Sequence, residues 1–243
     1  MLKQTLSIIR NNLAFYAMVI ASFVGIAIFD EYSGKSTSVG VVLLLSCMLS
    51  MNVQNSVLRN LNFTAAAKVG KLPFRGYMFR SLGLGLLVLF LMALPLIPLL
   101  GAKGIDKAYF GLWAMLAFLV AFCIIFSLLG TWLPASIHGT KAGIGDALRR
   151  GIARFPSTIS LVFLGLTLPL VAGIIVVIFA STFGGPGMLV NGHLNIPVIA
   201  ASLISNGLQA IGWTYISVVS VRRYMEAEQI GPPSGAELLT VFA

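Results

Sequence analysis

Six stretches without a charged side chain constrain this chain more than any other feature. Each is 17 to 26 residues long and contains no Asp, Glu, Lys or Arg. A helix of about 20 apolar residues crosses the roughly 30 Å hydrocarbon layer of a bilayer, so each stretch can form one span. The predicted spans are residues 13–29, 38–57, 81–100, 110–133, 157–180 and 196–221. The sequence therefore predicts an all-α, polytopic transmembrane bundle over residues 1–223, followed by a cytoplasmic tail at 224–243.

The composition excludes an ordinary water-soluble domain. Apolar residues make up 58% of the chain and charged residues only 9%, whereas a soluble domain carries roughly 25% charged residues. Cys47 and Cys123 lie within predicted spans, where a thiol acts as a small apolar group, and they indicate neither a disulfide framework nor a metal site. The first span lacks a signal-peptide cleavage pattern, so we expect it to be retained.

The basic residues lie in alternate connections between the spans. Thirteen of the 16 Lys and Arg residues fall before the first span, in the second and fourth connections or after the last span, and three fall in the other loops. Basic loops stay in the cytoplasm during insertion. We therefore expect both termini to be cytoplasmic. Because membrane orientation accounts for the net charge of +9, no nucleic-acid partner is expected.

The fourth connection is predicted to contain a surface helix. Ile144, Leu148, Ile152 and Phe155 recur at helical spacing on one face, while the charged residues fall elsewhere. Such a helix lies flat at a bilayer surface. A second short amphipathic helix is predicted at residues 2–12.

Arginines of this helix are candidates for binding lipid. Asp146 precedes Arg149 and Arg150 by three and four residues, the spacing of a helix-surface ion pair. Basic side chains beside a membrane attract anionic lipid head groups, which are the expected partners. A protein partner and a homo-oligomer remain open alternatives. The candidate residues for binding lipid or a partner are Arg59, Lys71, Arg75, Arg80, Arg149, Arg150 and Arg154.

The polar side chains within the spans are amides rather than ionisable groups. No predicted span contains Asp, Glu, Lys, Arg or His, which argues against a proton-coupled pump. Amides on neighbouring helices either bond one another, at about 0.6–2 kcal/mol per contact, or line a polar pocket. The candidate pocket residues are Asn52, Asn55, Asn206 and Gln209.

No catalytic motif appears. His138 and His193 are predicted on opposite sides of the membrane, so they cannot share a site, and neither has a metal ligand at suitable spacing. On the outer side only Asp30 and Glu31 could approach His193. The sequence therefore predicts no catalytic residue, cofactor or metal. The glycine-rich segment 184–187 is expected to lack regular structure.

Two further patterns concern helix packing and repeats. Gly83, Gly85, Gly165 and Gly173 are predicted to allow close approach of helices. Arginines 10, 80 and 154 each precede a span and are separated by 70 and 74 residues. This spacing is typical of three repeated helical hairpins.

The connectors carry motifs that resemble a known family. W-L-P-A-x-I-x-G is followed by G-D-A-L-R-R-G and by Phe-Pro before a span, with fainter matches at 73–80 (PFRGYMFR) and 221–226 (VRRYME). These motifs resemble six-span bacterial inner-membrane proteins loosely related to the membrane domain of glycerophosphodiester phosphodiesterases. The resemblance implies an integral membrane protein of no assigned reaction, with no catalytic residue to transfer. The matching residues are Leu133, Pro134, Ala135, Gly139, Asp146, Ala147, Arg149, Arg150 and Gly151.

Two functional hypotheses follow from these observations. The first is a non-enzymatic scaffold or lipid-associated accessory component that acts through its basic cytoplasmic helices. The second is a transporter or permease subunit whose third and fifth spans, kinked by proline, surround the amides.

The predicted orientation is testable with fusions. A reporter joined after Arg223 should remain cytoplasmic, because the basic loops anchor that side of the membrane. The same reporter joined after Lys35 should be exported, and this fusion is the matched control. Export of the Arg223 fusion would contradict the orientation.

Overall fold

The computed structural model describes residues 1–35, 39–69, 72–100, 107–140, 142–185, 187–190 and 192–230. These residues form ten helices and one short hairpin of two strands. The elements are α1 (Leu2–Asn11), α2 (Leu13–Ser33), α3 (Val39–Arg59), α4 (Phe63–Lys68), α5 (Phe74–Leu100), α6 (Lys107–Leu129), α7 (Trp132–His138), α8 (Ile144–Ala153), α9 (Phe155–Gly184), β1 (Leu189–Val190), β2 (His193–Leu194) and α10 (Ile196–Ala227).

Six of these helices are long and apolar enough to cross a membrane: α2, α3, α5, α6, α9 and α10. Large apolar side chains cover their outer faces, among them Leu86, Phe90, Leu168 and Phe179. Apolar surface of this extent marks contact with a membrane. The protein is therefore a multi-pass integral membrane protein, and the prediction of an all-α bundle is confirmed.

Several helix ends differ from the limits of the charge-free stretches. Helix α5 begins at Phe74 rather than at residue 81, and α10 continues to Ala227, within the predicted tail. A helix continues past the hydrocarbon layer into the head-group region, where charged side chains are solvated. Residues 231–243 of the predicted tail lie outside the described residues.

The fourth span ends earlier than predicted. Helix α6 stops at Leu129, and Thr131 precedes a separate helix, α7. Pro134 lies in the first turn of α7 instead of ending the span. Proline is tolerated there because its missing N–H would have no partner within the helix.

The short helices α1, α4, α7 and α8 gather at one end of the bundle, which we call the basic end. Here α2, α5 and α9 begin, and α3, α6 and α10 finish. Three hydrogen bonds tie this end together: Arg222 Nε to Gln4 Oε1 at 2.8 Å, Phe63 N to Asn12 Oδ1 at 3.0 Å, and Arg80 Nη1 to the Trp132 carbonyl at 2.7 Å.

Helix α8 packs on the bundle through its small residues. Ala147 and Gly151 face inward and are buried. A Cβ atom on Gly151 would overlap the Leu128 carbonyl of α6, so α8 lies directly against α6. Three residues of the predicted apolar stripe face outward, whereas the fourth, Phe155, begins α9 and is half-buried.

The exposure of that stripe supports the prediction of an amphipathic helix. Ile144, Leu148 and Ile152 are 46%, 39% and 60% exposed, respectively. Helix α1 repeats the arrangement, because Leu2 and Leu6 are exposed in the same way. Outward apolar stripes on short helices beside spans are suited to the membrane interface.

Helices α9 and α10 approach closely at glycines. A Cβ atom on Gly212 would lie 2.6 Å from the Gly165 carbonyl oxygen, and one on Gly173 would lie 2.5 Å from Ser205 Oγ. Pro169 lies four residues after Gly165 and donates no hydrogen bond to that carbonyl.

The glycine prediction is thus confirmed for Gly165 and Gly173. It is wrong for Gly85, where a Cβ atom would meet nothing within 4 Å, and Gly83 has only an ordinary contact with Trp132 at 3.7 Å.

The opposite end carries a hairpin held by one carboxylate. Glu31 accepts hydrogen bonds from the backbone N–H groups of Met188 (2.8 Å) and Leu189 (3.0 Å). Strand β1 pairs with β2, which contains His193. The expectation of irregular structure is wrong for Gly184, which ends α9, and β1 begins at Leu189.

A substitution at the α9–α10 contact should destabilise the bundle. Gly212→Ala places a methyl group against backbone that cannot move aside, and overpacking of this kind costs about 1–3 kcal/mol. Thermal unfolding in mild detergent should show a lower midpoint. Gly85→Ala is the matched control, and an equal loss there would contradict the assignment.

Candidate functional site

The basic end contains a cleft of about 290 Å³ between α6, α8, α9 and α10. Four arginines and four hydroxyl side chains line it, together with a floor of apolar residues. We call it the arginine cleft. Its principal lining residues are Arg149, Arg150, Arg154 and Arg223, then Ser127, Thr131, Thr158 and Ser220, with Phe126, Val162, Ile216 and Val219 as the floor.

The start of α8 orients its arginines. Asp146 Oδ2 accepts the Gly143 N–H at 2.9 Å, which caps the first turn. The predicted ion pairs of Asp146 with Arg149 and Arg150 are therefore wrong, because the carboxylate binds the helix start. Arg150 instead pairs with Glu228, which follows α10.

Arg150 connects α8 with the end of α10. Its Nη1 lies 2.5 Å from Glu228 Oε1, and its guanidinium carbon lies 5.3 Å from the centroid of the Tyr224 ring. The Nε atom donates to Thr131 Oγ1 at 3.4 Å. The side chain is only 12% exposed. Ion pair and cation–π contact together fix this guanidinium at the edge of the cleft.

Glu226 binds two other arginines. Its Oε2 lies 3.1 Å from Arg154 Nη1 and 2.9 Å from Arg223 Nη1. Arg223 also donates from Nη2 to Ser157 Oγ at 2.9 Å. Arg149 has neither a hydrogen bond nor an ion pair within the described part of the chain. Four guanidinium groups therefore face two carboxylates.

Three buried polar atoms of the cleft residues lack a hydrogen-bond partner among the described residues. They are Arg150 Nη2, Arg223 Nε and Ser127 Oγ. Leaving such a donor unsatisfied costs about 1–3 kcal/mol, and more where the group is charged. Three side chains that line the cleft therefore have unused donor capacity.

Tyr224 supports the arginine cleft from below. It is fully buried, and its hydroxyl lies 2.9 Å from His138 Nδ1 and 3.3 Å from Thr140 Oγ1. These contacts attach α7 and its C-terminal turn to α10. The ring that carries Arg150 is consequently held in one position.

The other predicted basic residues lie apart from the cleft lining. Arg59 donates from Nε to Asn55 Oδ1 at 2.8 Å, and the Arg75 guanidinium lies 5.8 Å from the Phe79 ring centroid. Arg80 binds the Trp132 carbonyl and ties α5 to α7. Lys71 lies outside the described residues.

The candidate pocket amides form local hydrogen bonds. Asn52 and Asn206 each donate to a carbonyl four residues back in their own helix, at 2.8 Å. Asn55 accepts from Arg59, and Gln209 is exposed. These bonds do not connect α3 with α10, and the shared pocket stays a prediction.

Hydroxyl groups, which the sequence did not single out, connect the spans instead. Tyr16 and Thr214 join α2 to α10 at 2.7 Å, and Ser50 and Ser217 join α3 to α10 at 2.6 Å. Serine and threonine are common at contacts between membrane helices for this reason.

Arg223 and the hydroxyls of the cleft were also missed. A weak signal exists, because residues 216, 220, 223 and 227 recur at helical spacing on one face of α10. The rotation that turns this face toward α8 comes from the packing of α10 on α9, which the pattern does not specify.

The motif residues of the suspected resemblance converge at the same place. Leu133 and Ala135 of α7 and Ala147 of α8 are buried there, and Arg149 and Arg150 line the cleft. No known protein family, curated protein or solved structure matches this chain. The relationship to the phosphodiesterase-associated membrane proteins stays a prediction.

Tyr224 offers a test of how the site is supported. Tyr224→Phe removes the hydroxyl contacts but keeps the ring, and should lower the free energy of unfolding by about 0.5–1.5 kcal/mol. Tyr224→Ala should lower it by about 3–5 kcal/mol. Denaturation in mild detergent measures both. Tyr32→Phe, at an exposed position, is the control, and equal effects of all three changes would refute the role of Tyr224.

Proposed function

We propose that this protein is a non-enzymatic, lipid-associated component of a bacterial cytoplasmic membrane that binds an anionic lipid head group in the arginine cleft. The carrying observation is the convergence of four arginines on one cleft with only two carboxylates bound to them. Guanidinium groups bind phosphate through paired N–H donors, which favours them over ammonium groups at such sites.

The position of the cleft supports a lipid ligand. It lies at the ends of α6 and α10 and at the start of α9, where the spans meet the short helices. The neighbouring α8 exposes an apolar stripe suited to the membrane interface. A head group in the same membrane would therefore lie at the depth of the four guanidinium groups.

The orientation of this end follows from the same charges. The Lys and Arg residues that the sequence assigns to the cytoplasm lie in the short helices of the basic end, in their connections, or in the adjoining ends of the long helices. We therefore propose that the basic end, with both termini, faces the cytoplasm. Arg59, Arg75 and Arg80 would then add to the attraction of anionic lipid at that surface.

The transporter hypothesis is less well supported. It requires Asn52, Asn55 and Asn206 to turn toward a common path, whereas their hydrogen bonds are made within their own helices. A scaffold role, which needs a protein partner or a second copy of this chain, remains compatible with lipid binding.

Neutralising the cleft tests the proposal. The triple variant Arg149→Gln, Arg150→Gln and Arg154→Gln should retain about 100-fold less anionic lipid, since each basic residue contributes about 1 kcal/mol to such binding. Native mass spectrometry of protein purified in mild detergent measures the retained lipid.

The control variant is Lys3→Gln, Arg10→Gln and Lys68→Gln, which removes the same charge from the basic end outside the cleft. It should retain anionic lipid almost as the unmodified protein does. Equal losses from both variants would show only diffuse attraction to the surface and would contradict a site in the cleft.

A further inference from the structure

The charge balance of the arginine cleft discriminates between classes of phosphate ligand. The four guanidinium groups exceed the carboxylates of Glu226 and Glu228 by two positive charges. A phosphodiester carries one negative charge, whereas a phosphomonoester carries about 1.5 to 2 at neutral pH and three acceptor oxygens. The monoester therefore matches both the excess charge and the number of unsatisfied donors.

The unsatisfied donors belong to three residues of the cleft lining. Arg150 Nη2, Arg223 Nε and Ser127 Oγ come from three different helices, α8, α10 and α6. Two of these side chains are 88% buried, since Arg150 and Arg223 are each 12% exposed. Buried donors on separate helices are better suited to a small ligand group, such as one phosphate, than to a polymer chain.

An apolar groove along α6 and α9 indicates where the rest of such a ligand would lie. Its volume is about 500 Å³, and its residues include Cys123 and Ile159. Cys123 lies one helical turn from Ser127 of the cleft, and Ile159 adjoins Thr158. An acyl chain attached to a phosphate in the cleft would therefore find apolar surface along the same pair of helices.

We propose, resting on the proposed function above, that the arginine cleft selects a lipid phosphomonoester head group, of the phosphatidate type, over lipid phosphodiesters. The phosphate binds Arg149 and the unsatisfied donors of Arg150 and Arg223, and an acyl chain follows the α6–α9 groove. Glu228 competes with the ligand for Arg150. It is the first residue after α10, so its carboxylate can leave Arg150 without unwinding the helix.

The test uses the full chain in mild detergent, titrated with short-chain lipids. Dioctanoyl phosphatidate should bind about five- to tenfold more tightly than dioctanoyl phosphatidylglycerol, because one more charge is paired in the cleft. Glycerol 3-phosphate, which has the same phosphate but no acyl chain, should bind about tenfold more weakly than phosphatidate or worse. The shift of the thermal midpoint with ligand concentration reports each affinity.

Two single variants should change the phosphatidate affinity in opposite directions. Arg149→Gln removes an exposed side chain without partners in the described residues, so the fold should persist while phosphatidate binds about fivefold more weakly. Glu228→Gln removes the competing carboxylate and should tighten binding by a similar factor. Glu31→Gln, at the opposite end of the bundle from the cleft, is the control for loss of an acidic residue.

The outcomes separate this inference from the function on which it rests. Equal affinities for phosphatidate and phosphatidylglycerol, both above that for dioctanoyl phosphatidylcholine, would overturn the selectivity but leave anionic lipid binding standing. If phosphatidate and phosphatidylglycerol both bind only as tightly as phosphatidylcholine, the selectivity and the anionic lipid binding are both overturned. Glycerol 3-phosphate binding as tightly as phosphatidate would overturn the assignment to a lipid, and an unchanged affinity in Arg149→Gln would overturn the location.

Discussion

The geometry of the basic end depends on the contact between α8 and α6. Gly151 lies against the Leu128 carbonyl so closely that any side chain would collide with it. Since α8 is only ten residues long, this contact and the burial of Ala147 set its rotation. That rotation turns the apolar stripe of α8 outward and brings its arginines to the cleft. A helix rotated by half a turn would instead direct the guanidinium groups away from α10.

Helix α10 completes the site because it is longer than its membrane-spanning part. Its final turns carry Arg223, Tyr224 and Glu226 beyond the apolar stretch, and Glu228 follows directly. Tyr224 and Glu228 contact Arg150 of α8, and Glu226 binds Arg154 and Arg223. Close packing on α9 at Gly165 and Gly212 fixes how α10 is turned. The packing of α10 on α9 inside the bundle therefore determines where the end of α10 places its charged residues.

The carboxylates of Glu226 and Glu228 compensate part of the positive charge of the cleft. These two carboxylates balance half of the charge of the four arginines. In the Arg150–Glu228 pair the guanidinium is 12% exposed, whereas the carboxylate is 37% exposed. In the proposed complex, a phosphate with several acceptor oxygens would compete with the Glu228 carboxylate for Arg150.

The sequence by itself determined the fold class and which connecting segments lie at the same end of the bundle. Charge-free stretches long enough for a bilayer predict six spans, and the stripe at Ile144, Leu148 and Ile152 predicts the exposed face of α8, because both depend on local composition and periodicity. The alternation of basic loops likewise predicts which segments share one end. Only the tertiary structure decided which arginines converge, that Asp146 caps α8 instead of pairing with them, and that Arg223 belongs to the site. Those outcomes depend on helix rotation and on contacts between residues far apart in sequence, which local patterns do not encode.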